Sequence, residues 1–292
     1  MQLIFILEQV LNGLLAGSSY LLIALGLSLI FSLGGIVNLA HGAFYAIGAY
    51  LAVEIGGRLG FGAAFILSPV LVGLLGILVE RLLFRRFYRA DPILSLLVTF
   101  GLAMVIEQTL RIIWGAAPIP FAIPSYLSGL LFVGGLIYPY YRLAILVVTV
   151  LAVLGLWLLL NKTAFGRIVR AGVQNPDMVG ALGISLAPVM ATVVAIGIGL
   201  AALAGAALAP IRGVHPAMGT EVLTAAFVIV VIGGLGSFWG VVLAAIIVGV
   251  VRGLTVQFYP PAEQASIYLL MFLVLLVRPR GLLGERFERL EA

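Results

Sequence analysis

Few side chains in this sequence are of a kind that does chemistry. There are two histidines, His41 and His215, no cysteine and a single lysine, Lys162. Two imidazoles with no carboxylates converging on them do not complete a metal site, and without cysteine there is neither a thiolate ligand nor a disulfide. Ser237 and His41 are the one conceivable nucleophile and base. No nucleophile motif surrounds that serine, and a hydroxyl beside glycines reads as packing. Lys162 stands in Asn-Lys-Thr, outside any GxxxxGK[ST] loop, so this chain has no phosphate cradle for hydrolysing ATP. Ion coupling across a membrane would need ionisable residues within the apolar runs. The candidates are Glu54, Glu107 and Arg252, all near the ends of such runs, and Glu107 is set to pair with Arg111 four residues on. His41 has no second acid at a spacing that would continue a proton relay. The expectation is therefore no catalytic residues and no metal.

The elements that must position what remains follow from composition. Of 292 residues, 63% are hydrophobic and 9% charged, against roughly 25% charged in soluble domains. This is an integral membrane protein, expected to be an all-α polytopic transmembrane helical bundle and a single domain over residues 1–292. Its basic residues lie in gaps between apolar runs and form no stripe for nucleic acid. The start, MQLIFILEQVLNG, lacks a basic n-region and a cleavage pattern, and reads as the retained beginning of the first span. Spans are expected near 5–33, 38–55, 60–79, 92–114, 141–160 and 186–211, then in 221–258, broken at 233–237, and in 263–277. Two crossings for the broken run give nine spans; a re-entrant first part gives eight.

Orientation comes from charge. Arg81, Arg85, Arg86 and Arg89, then Lys162, Arg167 and Arg170, then Arg278, Arg280, Arg286 and Arg289 make up eleven of the 16 basic residues. The positive-inside rule places all three segments, and the C-terminus, in the cytoplasm. Residues 115–140, with Pro118, Pro120, Pro124 and Pro139, form an outer loop too short for a domain.

Three polar or glycine-rich motifs interrupt the apolar runs. In Asn38-Leu39-Ala40-His41-Gly42, Asn38 is placed to cap a half-helix whose free N–H groups carry partial positive charge. Such ends in transporters often face anionic substrate groups; equally, Asn38 and His41 simply satisfy a buried helix break. Gly233-Gly234-Leu235-Gly236-Ser237 allows close packing between subunits or a flexible point on a solute path. Gly197 to Ala206 carries a small-residue seam suited to tight helix contact. The third motif is the polar segment 162–185. Asn175 as N-cap, Pro176 at the first helical position and Gly183 as a left-handed terminator define a short rigid helix. Gly166, Arg167 and Arg170 precede it and could anchor its base to lipid phosphates or a partner.

GLSLIFSLGGIVNLAHGAFYAIGAY (26–50), TAFGRIVRAGVQNPDMVGALGI (163–184), VVIGGLGSFWG (230–240) and RPRGLLG (278–284) together resemble the membrane permeases of branched-chain amino acid ABC importers, of the LivH type. Nearly the whole chain is covered, with the motifs in order. The resemblance implies a permease subunit of the bacterial inner membrane, working with a second, LivM-like permease, two cytoplasmic ATPase subunits and a periplasmic substrate-binding protein. ATP and magnesium would reside in the ATPases and no cofactor in this chain. Segment 162–185 becomes the coupling segment, with Gly166, Arg167, Arg170, Asn175, Pro176, Asp177 and Gly183 as docking residues. Asn38, His41, Gly42, Gly234, Gly236 and Ser237 become pathway candidates. Family members commonly carry an acidic pair before the short helix; here Gln174 and Asn175 stand there, leaving Asp177 as its only acid. The resemblance leaves urea, short amides or aromatic acids as alternative solutes, and an ion-coupled transporter is the alternative mechanism.

Overall fold

The computed structural model describes residues 2–88, 91–133 and 136–284; Arg89, Arg286 and Arg289 lie outside the described residues. The apolar runs form helices throughout. They are α1 (Gln2–Gly34), α2 (His41–Leu59), α3 (Phe61–Leu82), α4 (Pro92–Trp114) and α5 (Tyr140–Lys162), then two short helices, α6 (Ala164–Gln174) and α7 (Pro176–Ala181). The second half comprises α8 (Leu186–Arg212), α9 (Met218–Gly233), α10 (Phe238–Phe258) and α11 (Glu263–Val277). The polytopic helical bundle with broken helices is thus what the sequence forms. Among the described residues seven helical segments are long and apolar enough to cross a membrane: α1, α3, α4, α5, α8, α10, and α11 taken together with the turn before it as Pro260–Val277. α2, with 19 residues, and α9, with 16, are the remaining pair.

Helices α1 and α8 form the centre, because small residues let other backbones reach them. A Cβ on Gly26 of α1 would lie 2.3 Å from the Gly197 carbonyl of α8, and one on Gly205 would lie 2.0 Å from the Tyr45 carbonyl of α2. Gly48 of α2 meets Ala202 in the same way. The α8 seam is therefore filled by this chain's own α1 and α2, not left open for a second subunit. Along α1 the other side packs on α10, with Gly13 and Gly17 against Gly249 and Ala245.

The ends of α2 and α9 meet inside the bundle. Gly42 and Gly219 face each other so closely that a Cβ on either would lie 2.2 Å from the other's carbonyl oxygen. Upstream of α2, the irregular backbone of residues 35–40 is satisfied from α4: the Leu39 N–H donates to Thr99 Oγ1 (3.2 Å), and Thr99 Oγ1 donates to the Val37 carbonyl (3.3 Å). Non-helical backbone at this depth needs such partners.

The segment expected as a plain outer loop contains a small antiparallel hairpin, β1 (Leu130–Val133) with β2 (Leu136–Pro139). Ile119 and Val214 exchange backbone hydrogen bonds of 2.8 and 3.0 Å, tying this segment to the α8–α9 connection. Both therefore lie at the same end of the bundle.

Candidate functional site

The polar segment after α5 is built from two successive caps. Thr163 leaves helical geometry and its hydroxyl accepts from the Gly166 N–H (3.2 Å), starting α6. Gly166 then passes so near α5 that a Cβ there would sit 1.9 Å from the Leu160 carbonyl. That approach turns α6 back across the end of α5. Val169 and Gly172 face inward, while Arg167 and Arg170 stay exposed. Arg170 Nη1 donates to the Leu160 carbonyl in the last turns of α5, where a cation suits the helix's negative end. Arg167 carries no ion pair among the described residues.

Asn175 closes α6 and opens α7 at once. Its N–H donates to the Ala171 carbonyl (2.9 Å) and its Oδ1 accepts from the Met178 N–H (2.9 Å), with Pro176 at the first helical position. Gly183, at φ +80°, ends the helix. The Ile184 N–H reaches back to Val179 (3.3 Å) and the Gly183 N–H to Gly180 (2.9 Å), the paired bonds of a Schellman terminator. The Met178 N–H at one end and the Val179 and Gly180 carbonyls at the other are thus satisfied locally, which supports the helix without deep burial. Val179 alone is buried; Asp177 and Gly183 are exposed, and Met178 and Leu182, four apart, are 59% and 73% exposed.

The glycine turn before α10 is a joint with the tail of the chain. Gly234 and Gly236 adopt φ of +98° and +83°, a region that L side chains rarely enter. Ser237 caps α10 by accepting from the Gly240 N–H (3.2 Å). The Leu282 N–H donates to the Ile232 carbonyl (2.7 Å) and the Leu283 N–H to the Gly233 carbonyl (3.2 Å), which lays Gly281 and Gly284 against Gly234. The packing expected between subunits is thus internal, because the tail motif supplies the surface. Two motifs read as separate are one structural unit.

At the α1–α2 break the cap is not where the sequence suggests. Ala40 is the residue preceding the helix, and Asn38 Oδ1 accepts from its N–H (3.0 Å) in an Asx turn. Asn38 and His41 are fully buried. His41 Nε2–H donates to the Ile23 carbonyl (3.1 Å), and Nδ1 has no hydrogen-bond partner among the described residues. His41 is thus engaged with α1 while Ser237 is engaged with α10, so the two do not form a nucleophile and base pair. Among the described residues no three His, Asp or Glu side chains gather as metal ligands. The ionisable candidates are consumed as pairs: Glu54 with Arg58, Glu107 with Arg111 (3.3 Å), and Arg252 with Glu263 over the Tyr20 ring.

A cavity of about 360 Å³ lies between α1, α5, α6 and the turn before α10. It brings together Arg170, Gly236 and Ser237, drawn from two different motifs. Asn38 and His41 are not among its walls. Gly42 borders a separate void of about 20 Å³, beside Glu107 and Thr220, room for about one water.

Sequence reasoning passed over α6 and the Glu80 cluster. Glu80, fully buried, accepts from Arg85 (3.2 Å) and from the Tyr88 hydroxyl (3.3 Å). Burial and the nearby carboxylate push the Tyr88 phenol well above its usual range. The available signal was one acid at the edge of a basic gap.

The chain matches the family described as branched-chain amino acid transport system, permease component, over residues 9–277. It is 30% identical over 96% of both chains to the high-affinity branched-chain amino acid transport system permease protein BraD of Pseudomonas aeruginosa. It is 30% identical over 97% of both chains to the permease LivH of Escherichia coli. LivM of the same transport system in that organism is 30% identical over 90% of this chain and 67% of its own length. Among solved structures, PsaBC from Streptococcus pneumoniae in complex with a Fab aligns over 96% of this chain and 93% of the other, at a TM-score of 0.51 and 12% identity. That likeness concerns the fold alone.

Proposed function

The chain belongs to the family of branched-chain amino acid transport permease components, and from that premise we propose that it is the membrane-spanning subunit through which an ATP-driven importer moves branched-chain or other hydrophobic amino acids. The observation that carries this reading is the match over 269 residues, 9–277, in a chain whose relatives of equal length are permeases for that class of solute. The chain is a transport subunit in a multi-pass membrane setting, and hydrolysis belongs to two cytoplasmic ATPase subunits holding ATP and magnesium. Solute arrives on a periplasmic binding protein. A LivM-like permease completes the pathway, since relatives of this chain occur in both LivH and LivM form.

Within this reading residues 162–185 face the cytoplasm and α7 is the piece the ATPases push. A lever must be stiff and must present a contact face. The closed caps at Asn175 and Gly183 and the exposed Met178 and Leu182 meet those needs. Gly166, Arg167 and Arg170 fix its base through α6, and Asp177 edges the docking face. The break at Asn38, His41 and Gly42 and the turn at Gly234, Gly236 and Ser237 are the places where helices adjoining the pathway can shift. Both join helix ends through backbone contacts rather than long interlocked side chains.

The test is uptake in proteoliposomes holding both permeases and the ATPases, with binding protein outside. Labelled leucine should accumulate with internal ATP and not with a proton or sodium gradient alone. Accumulation of urea or an aromatic acid in place of leucine would reassign the solute; gradient-driven uptake without the ATPases would overturn the mechanism.

A further inference from the structure

The 360 Å³ cavity beside α6 has a chemical character that solute transport does not explain. Its one charged wall group is the Arg170 guanidinium, and beside it stand the Trp239 indole, the Asn161 and Gln174 amides and the Ser28, Ser32 and Ser237 hydroxyls. No aspartate or glutamate lines it. Ser28 is only 4% exposed, and it forms part of the cavity wall. A hydroxyl on a cavity wall can bond to whatever fills the cavity. The rest of the wall is apolar, with Leu25 and Leu29 of α1, Leu156 of α5 and Phe238 of α10.

An arginine with no carboxylate beside it in the cavity favours an anion, and a zwitterion's ammonium group would find no carboxylate here. The apolar walls select a ligand with a hydrocarbon part. The location selects its source. Ser28 lies six residues before the end of α1, about 9 Å along the axis, and Arg170 and Gln174 lie beyond the ends of the spans. Anionic group outward and tail inward is the arrangement of a phospholipid in one leaflet, and basic pockets between transmembrane helices on that side take such headgroups. We propose that this cavity is a binding site for the phosphate headgroup of an anionic phospholipid, held by Arg170 and Ser28, that fixes α6 between α5 and α10. The leaflet assigned, the cytoplasmic one, rests on the orientation given above.

The experiment uses the assembled permease and ATPase complex in neutral detergent. Phosphatidylglycerol should raise the wild-type unfolding midpoint, while phosphatidylcholine, inorganic phosphate and free leucine should not. Native mass spectrometry should count retained phosphatidylglycerol, with apparent affinity falling about tenfold in Arg170→Gln, the scale of one lost charge-assisted contact. Ser28→Leu, which fills the cavity, should lower it too, whereas Arg167→Gln, an equal charge change outside the cavity, should leave it unchanged. Equal loss in Arg167→Gln and Arg170→Gln would mean surface charge attraction and overturn the site. Stabilisation by inorganic phosphate or by leucine would make it a site for a soluble ligand, and retention unaffected in both cavity variants would mean that another chain fills it. The wild-type titration decides the matter even where a variant fails to assemble. None of these readouts depends on transport, so a wrong solute would leave the lipid result standing.

Discussion

Glycine and asparagine carry more of this protein's architecture than its charged residues do. At Gly205 the Tyr45 carbonyl occupies the space a methyl group would take, whereas Gly101 of α4 faces open space. Gly205→Ala should therefore cost about 1–3 kcal/mol by overpacking, while Gly101→Ala should be neutral or slightly stabilising. Thermal unfolding of the purified complex separates the two. Asn175→Ala should weaken α7 by about 0.5–2 kcal/mol, seen as faster amide exchange at Met178 and Val179 with α8 unaffected. The Asn175 cap was legible because an asparagine before a proline, with a glycine seven residues after that proline, specifies both ends of a helix locally. Asn38 was misplaced by two residues for the opposite reason: its conformation depends on Thr99, sixty-one positions away, which no local pattern reveals.

At the scale of elements, apolar runs announced the long helices, and glycines announced the breaks. What the sequence concealed was pairing. The tail at Leu282 and Leu283 completes the turn at Ile232 and Gly233 through backbone bonds, which leave no mark in side-chain type. α6 went unseen because its Thr163 cap and Gly166 contact work together with the end of α5. The joint yields a prediction. Gly234→Val forces a branched residue into φ +98° and against Gly284, and should release the tail. Limited proteolysis should then cut near Arg280 in the variant and spare the wild type; equal cleavage would show that the tail is not held by the turn.

For the whole molecule, the reading makes one statement about sides and one about force. As proposed above, residues 80–88, 162–185 and the tail would lie inside and Ser125 outside. With no native cysteine, an impermeant thiol reagent applied to intact cells should label Ser125→Cys and miss Gln174→Cys and Arg86→Cys; labelling of Gln174→Cys with Ser125→Cys silent would invert the topology. The Ile119–Val214 bridge predicts that Ser125 and the α8–α9 connection are labelled from the same side. The statement about force is the central one: α7 passes the ATPase movement to α8 and so to the bundle. Two glycines inserted after Val179 remove the stiffness and the spacing of the terminator while leaving every span intact. In proteoliposomes of the complete complex, ATP hydrolysis and labelled leucine uptake are measured together, with loaded binding protein added. The insertion should abolish stimulation of hydrolysis by the binding protein and abolish uptake, in complexes that still assemble; stimulation and uptake at wild-type levels would show that α7 transmits nothing.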